Sequence, residues 1–202
     1  PARAGRRELL QLSTALTECL EARAGQLVLV RGEPGIGKTR LIDRFEEQAA
    51  EAGFARHRGL VLDFGAGKGR EAVPALVRGL LGIPLGGGKA VRRAAADAAL
   101  VTGLVAQDAA VHLNELLDLA QPAELEATFA AMSNRARVVG REQVLTTLVA
   151  AAAACGPLFL RIEDIHWADA ELLDQLAAAA VAVRDLPVVI VMTTRVEGDP
   201  LD

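Results

Sequence analysis

The run Gly32-Glu33-Pro34-Gly35-Ile36-Gly37-Lys38-Thr39 constrains this chain more than any other stretch. It follows an apolar segment, Leu27-Val28-Leu29-Val30, and leads into a helical pattern, Leu41-Ile42-Asp43-Arg44-Phe45. Strand, glycine loop, helix is the order in which G-x-x-x-x-G-K-[ST] signifies phosphate binding. The glycines let successive backbone N–H groups turn into one concavity, an anion nest. The helix that starts beside Lys38 adds the positive end of its dipole and its unpaired N–H groups. Lys38 then reaches the β- and γ-phosphates, and the Thr39 hydroxyl is placed to ligate Mg²⁺. Gly32, Glu33, Pro34, Gly35, Ile36, Gly37, Lys38, Thr39 and Arg40 are the candidate nucleotide-binding residues.

Composition narrows the fold. Of 202 residues, 51 % are hydrophobic and 3 % aromatic, so the core is aliphatic, as expected for helices packed on a sheet. A net charge of −4 argues against a general nucleic-acid-binding surface. Only three of the 22 basic residues are lysines (Lys38, Lys68, Lys89), so a lysine at the phosphate-binding position stands out against an arginine-rich background. Cys19 and Cys155 lie far apart with no CxxC or Cys/His cluster, which predicts free thiols in a reducing compartment. No signal peptide opens the chain, and the apolar run at 148–155 is too short to span a bilayer. A soluble, cytoplasmic protein without a membrane partner is expected.

Periodicity predicts a helix over 6–24 (Leu9, Leu10, Leu12, Leu16, Leu20), a strand over 26–31, a helix over 38–52 and a strand over 54–62. The glycine run 63–69 is read as a loop, because its G-x-G-x-G spacing lacks the third glycine of a dinucleotide fingerprint. An amphipathic helix over 71–82 and a Pro/Gly loop over 83–89 follow. Residues 90–155 read as helical almost throughout, broken near 121–122 and 133–134, which predicts a helical block inserted between the second and third strands. The third strand is expected at 157–162, a helix capped by Asp169 at 170–183, and a fourth strand at 186–194. The last two strands are almost wholly apolar, as in a parallel sheet covered on both faces. The fold class predicted is α/β, a P-loop NTPase with a mainly parallel sheet flanked by helices.

Hydrolysis would need a metal ligand and a group that orients water. The third strand runs into Glu163 and Asp164, and the carboxyl ends of parallel strands are where ligands collect. Neighbouring residues leaving a strand face opposite ways, so one carboxylate can serve Mg²⁺ and the other the attacking water. The fourth strand ends in Thr193-Thr194-Arg195, and a guanidinium there matches phosphate oxygens. The competing readings are an exposed acidic turn and a plain surface arginine. His166 reads as a structural hydrogen-bonding residue, and His112 lies in a helix without an assigned partner.

Together, the segments Gly32 to Leu41, Leu160-Arg161-Ile162-Glu163-Asp164-Ile165-His166-Trp167-Ala168-Asp169 and Val191-Met192-Thr193-Thr194-Arg195 resemble the AAA-type ATPase domain of large bacterial regulators, the signal-transduction ATPases with numerous domains. The resemblance covers nearly the whole chain and is weak from 90 to 140. It implies ATP and Mg²⁺ as ligands, with Lys38 on phosphate and Thr39 and Glu163 on the metal. It makes Asp164 the water-orienting residue and Arg195 the nucleotide sensor. It also implies helical repeats and a fused output domain, a class III adenylate/guanylate cyclase or a LuxR-type DNA-binding domain, and admits a nucleotide-dependent oligomer. The stretch from Asp63-Phe64-Gly65 to Ile83 most resembles the cyclase-linked members. Gly5-Arg6-Arg7-Glu8 approximates the family's Gly-Arg-Glu segment near the adenine. Glu163 stands where many relatives have Asp, which puts fast turnover in doubt. The family's lid and winged-helix segments would follow Asp202, so residues 1–202 are read as one P-loop ATPase domain of a larger regulator, with its insertion at about 71–155.

The function expected is an ATP-binding, slowly hydrolysing switch. The alternatives are a nucleotide-binding scaffold without turnover and a small-molecule kinase, the last disfavoured by the absence of an Arg-rich closing lid.

Overall fold

A computed structural model describes residues 4–61 and 71–196. Four strands, β1 (Gln26–Arg31), β2 (Ala55–Leu60), β3 (Leu158–Glu163) and β4 (Val188–Thr194), form one sheet in the order β1-β4-β3-β2. Every pairing is parallel. The central strands β3 and β4 are buried on both faces, which explains their continuous apolar sequence. The P-loop NTPase architecture expected from the sequence is therefore present.

Alternating side chains of β3 and β4 feed two separate cores. On one face, Phe159, Val189 and Val191 meet Leu16 and Cys19 of α1 (Ala4–Ala22) and Ile42, Phe45 and Ala49 of α2 (Lys38–Glu51). Phe45 and Phe159 meet edge to face, ring centroids 5.2 Å apart, a geometry favoured by the aromatic quadrupole. On the other face, Leu158, Leu160, Ile162, Val188 and Ile190 pack under α3 (Ala72–Leu80), α7 (Asn134–Cys155) and α8 (Ala170–Ala182).

Between β2 and β3 the chain runs through α3, α4 (Lys89–Val101), α5 (Ala110–Leu116), α6 (Ala123–Ala131) and α7, the helical block anticipated from the sequence. The expected breaks occur at Pro122, which precedes α6, and at Ser133, whose hydroxyl caps α7 by accepting from Ala136 N. A further break, not anticipated, spans 102–109. There Gly103 turns left-handed (φ 71°) and residues Gln107–Ala109 form a 3-10 turn. Helix α1 also differs from its leucine pattern. Its inner face is Leu9, Leu12, Leu16 and Cys19, while Leu10 lies more than a third of a turn away, Leu20 sits at the rim of that face, and both are exposed. The glycine run 63–69 lies outside the described residues.

Both cysteines are free; Cys19 is buried, which pushes its thiol up to about 11, and Cys155 is exposed. Among the described residues, α7 alone is long and apolar enough by length and composition to cross a membrane. Part of it packs into the core, with Val144, Leu145, Leu148 and Val149 buried and Arg141 paired to Glu115 of α5 and Glu171 of α8.

His112 of α5 is buried because α7 presents Gly140 opposite it. A Cβ at position 140 would lie 2.1–2.3 Å from three imidazole atoms. Overpacking of this kind costs about 1–3 kcal/mol, more than the roughly 1 kcal/mol of helix propensity that alanine restores. Gly140→Ala should therefore lower the thermal midpoint by several degrees, measured by circular dichroism. An unchanged midpoint would show that α7 does not seat against this imidazole.

Candidate nucleotide site

The parallel sheet delivers three loops to one edge, those after β1, β3 and β4. The loop after β1 is the phosphate-loop sequence. Gly35 (φ 76°) and Gly37 (φ 102°) are both left-handed, a conformation that glycine adopts without the Cβ penalty. Gly37 is the N-cap of α2, and no side chain caps the helix. With no carboxylate in the first turn either, the open N–H groups form a helix start of the kind that suits an anion. Lys38 bends back over the loop and donates from Nζ to the carbonyls of Gly32 (2.6 Å) and Glu33 (3.1 Å). Its ammonium thus spans the mouth of the nest. Thr39 and Arg40 are exposed on the first turn of α2, and Glu33, Pro34 and Ile36 are exposed on the loop.

The loop after β3 carries the paired acids, but they do not simply alternate as strand residues. Glu163 is the last residue of β3, its side chain 24 % exposed, on the α2 side of the sheet with Arg161. Asp164 has already left the strand and is left-handed (φ 60°, ψ 42°), a conformation that Asp tolerates better than most residues. Its backbone N–H donates to Thr193 Oγ1 at 2.8 Å, which ties the turn to β4. Its carboxylate is part-exposed, 3.8 Å from His166 Nδ1. His166 is itself packed against Trp167, ring centroids 4.8 Å apart. Asp169 caps α8 by accepting from Leu172 N at 2.9 Å, as expected.

Arg195 follows β4 directly. Thr194 is in register with Arg31, the residue before Gly32, so Arg195 emerges beside the phosphate loop. Its guanidinium lies 5.9 Å from the Trp167 ring centroid, within cation–π range. Near one sheet edge the fold therefore gathers Lys38, Thr39, Glu163, Asp164 and Arg195. Gly5, Arg7 and Glu8 belong to α1, on the face that also carries α2.

Beneath the acids lies a charge network that the sequence reading passed over. Arg161, in the middle of β3, is 1 % exposed. Its Nη1 donates to Asp43 Oδ1 (2.7 Å) and Glu46 Oε2 (2.9 Å), both from α2. Its Nε is 2.8 Å from Glu163 Oε1. Arg58 of β2 grips Glu46 from outside with two bonds, at 2.9 and 2.7 Å. Burial pushes the Glu46 carboxyl up, but the two guanidiniums outweigh it and hold the group below its ordinary 4.5. Burial likewise opposes the charge on Arg161, and Asp43, Glu46 and Glu163 more than restore it. The sequence held a visible sign of this network, an arginine inside the apolar run Leu158-Phe159-Leu160-Arg161-Ile162. Thr193, which anchors Asp164, left no comparable mark.

Among the described residues no three metal-binding side chains cluster. A Mg²⁺ site built from one hydroxyl, one carboxylate, phosphate oxygens and waters needs no such cage. The hard oxygen donors of Thr39 and Glu163 fit that kind of site.

Breaking a buried ion pair by removing one partner costs about 3–5 kcal/mol, so Glu46→Gln should be markedly less stable than the parent at neutral pH. Because the folded pKa of Glu46 is depressed, its contribution is fully present above about 4.5 and fades as pH falls through the depressed value. Urea unfolding at pH 7 and pH 3 should show the two proteins converging in acid. A gap that is the same at both values would contradict an ionised Glu46 in the folded state.

Comparison with known proteins agrees with this geometry. Residues 4–191 match the AAA ATPase domain. An uncharacterised protein of Rhizobium meliloti (strain 1021) is 31 % identical over 179 residues, a match covering 86 % of this chain. The chain spans only 16 % of the length of that relative. The family match spans the phosphate loop, the acid pair and most of the sheet, and the chain belongs to the AAA ATPase domain family.

Proposed function

We propose that this chain is an ATP-binding, slowly hydrolysing switch domain of a multidomain bacterial signalling or transcription regulator, acting in the cytoplasm. The observation that carries the reading is the phosphate loop itself. Left-handed Gly35 and Gly37 open an uncapped helix start, and Lys38 is held across it. In this reading the backbone of Gly32 to Lys38 cradles the phosphates, and Lys38 exchanges its carbonyl partners for β- and γ-phosphate oxygens. Arg40 lies on the first turn of α2 beside them. Thr39 and Glu163 would hold Mg²⁺, which would supply charge neutralisation to the phosphates. Asp164, fixed by Thr193, orients the attacking water, and Arg195 reads the γ-phosphate. The far greater length of the Rhizobium relative supports a setting of several domains. The output domain, a cyclase or a LuxR-type DNA-binding domain, and any nucleotide-dependent oligomer belong to the same proposal.

Lys38→Ala removes a charged hydrogen bond worth ~1.5–3 kcal/mol, so ATP affinity should fall roughly 10- to 150-fold. Calorimetry giving equal affinities for variant and parent would sink the assignment.

One observation favours a second reading, a nucleotide-binding scaffold without turnover: the Glu163 carboxylate is already paired with Arg161. Asp164→Asn separates the two. Phosphate release by the parent that disappears in this variant supports the switch, whereas binding without release in both supports the scaffold.

A further inference from the structure

Arg161 touches three carboxylates from two elements, and the arithmetic of charge around it points beyond packing. With Arg58 it makes two guanidiniums, facing Asp43, Glu46 and Glu163. A buried charge left without a partner is strongly destabilising, so the count shows which contacts are dispensable. Without Glu163, or without Asp43, two cations still face two anions and each guanidinium keeps a partner. Without Glu46, whose side chain is 4 % exposed, both guanidiniums would lose a partner. Of Asp43 and Glu163, Glu163 is the carboxylate placed to leave toward the site. It meets Arg161 through Nε alone, while Nη1 serves Asp43 and Glu46. It is also the one member of the cluster at the carboxyl end of β3, where the strand opens toward the phosphate loop.

We propose that Arg161 is a positioning residue that holds Glu163 in the metal-free protein and competes with the divalent cation for its carboxylate. Loading the nucleotide with its metal then transfers Glu163 from Arg161 to the metal. Arg161 stays anchored by Asp43 and Glu46, so the exchange leaves its charge compensated on the α2 side. The metal demand of nucleotide binding is thereby set by a residue that touches neither nucleotide nor metal. This inference rests on the reading of Glu163 as the metal-binding carboxylate.

The competition makes opposite demands on two variants. Arg161→Met frees Glu163 and should lower the Mg²⁺ concentration at half-saturation of ATP binding by about tenfold, the equivalent of about 1.4 kcal/mol. Asp43→Asn removes a rival for the guanidinium, which then holds Glu163 more firmly, and should raise that concentration severalfold. Asp43 is half exposed, so its variant keeps the test available if Arg161→Met fails to fold. The measurement is a Mg²⁺ titration of ATP binding by calorimetry on the 202-residue chain, with folding checked by circular dichroism. Glu163→Gln should raise the half-saturation point and, combined with Arg161→Met, abolish the drop. If Glu163→Gln raises it but the folded variants at 43 and 161 leave it unmoved or shift it the same way, Arg161 is structural only and the proposal fails alone. If Glu163→Gln leaves it unmoved, the metal-binding role of Glu163 fails and the proposal fails with it.

Discussion

A guanidinium can occupy the middle of a parallel sheet only if carboxylates are brought to meet it. Arg161 does so in β3, and the cost of its burial fixes the placement of everything around it. Asp43 and Glu46 must face the sheet from α2, which sets the rotation of that helix about its axis. The same rotation seats Ile42, Phe45 and Ala49 on Phe159, Val189 and Val191. Because α2 begins at the phosphate loop, an ion pair in the core orients the uncapped helix start at the edge. The aliphatic core alone would allow α2 to slide or roll; the hydrogen bonds to Arg161 are directional and oppose this.

Strand direction does the rest. With β1, β3 and β4 all parallel, the ends of these strands open on the same side, and three separate sequence segments converge without any contact between them in the chain. The order β1-β4-β3-β2 sends the chain from β1 past two strand positions to β2, and β3 and β4 later fill the gap. The acid-bearing strand therefore lies one strand away from the phosphate-loop strand, with β4 between them. This explains why Thr193 of β4 is the residue that reaches Asp164.

Much of this was legible in the residues. The glycine-lysine run, the acid pair and the apolar strands follow from local chemistry, and β1, α2, β3 and α8 lie within one or two residues of their expected bounds. The expectation for α1 was less sound, because five leucines at helical spacing do not identify a single face; only packing shows that Cys19 belongs to the core and Leu10 does not. The break at 102–109 was missed because one glycine in an alanine-rich helical pattern is a weak stop signal. Thr193 could not be singled out from a pair of threonines ending a strand, since its role depends on the left-handed turn at Asp164. Arg161 was the readable clue left unread, a charge where strand burial forbids one without partners.

The two acids, adjacent in sequence, are anchored to different parts of the molecule. Glu163 is held through Arg161 to α2, the helix of the phosphate loop, and Asp164 is held through its backbone to β4. A displacement of α2 on nucleotide binding would act on Glu163 through the ion pair while leaving Asp164 in place. A displacement of the end of β4, where Arg195 leans toward Trp167, would act on Asp164 through Thr193 while leaving Glu163 in place. The left-handed backbone at Asp164 is the joint that permits this, because it takes the residue out of the strand that carries Glu163. Had β3 continued one residue further, both carboxylates would be rigid parts of one strand. Separating them ties one acid to the helix of the phosphate loop and the other to the end of β4.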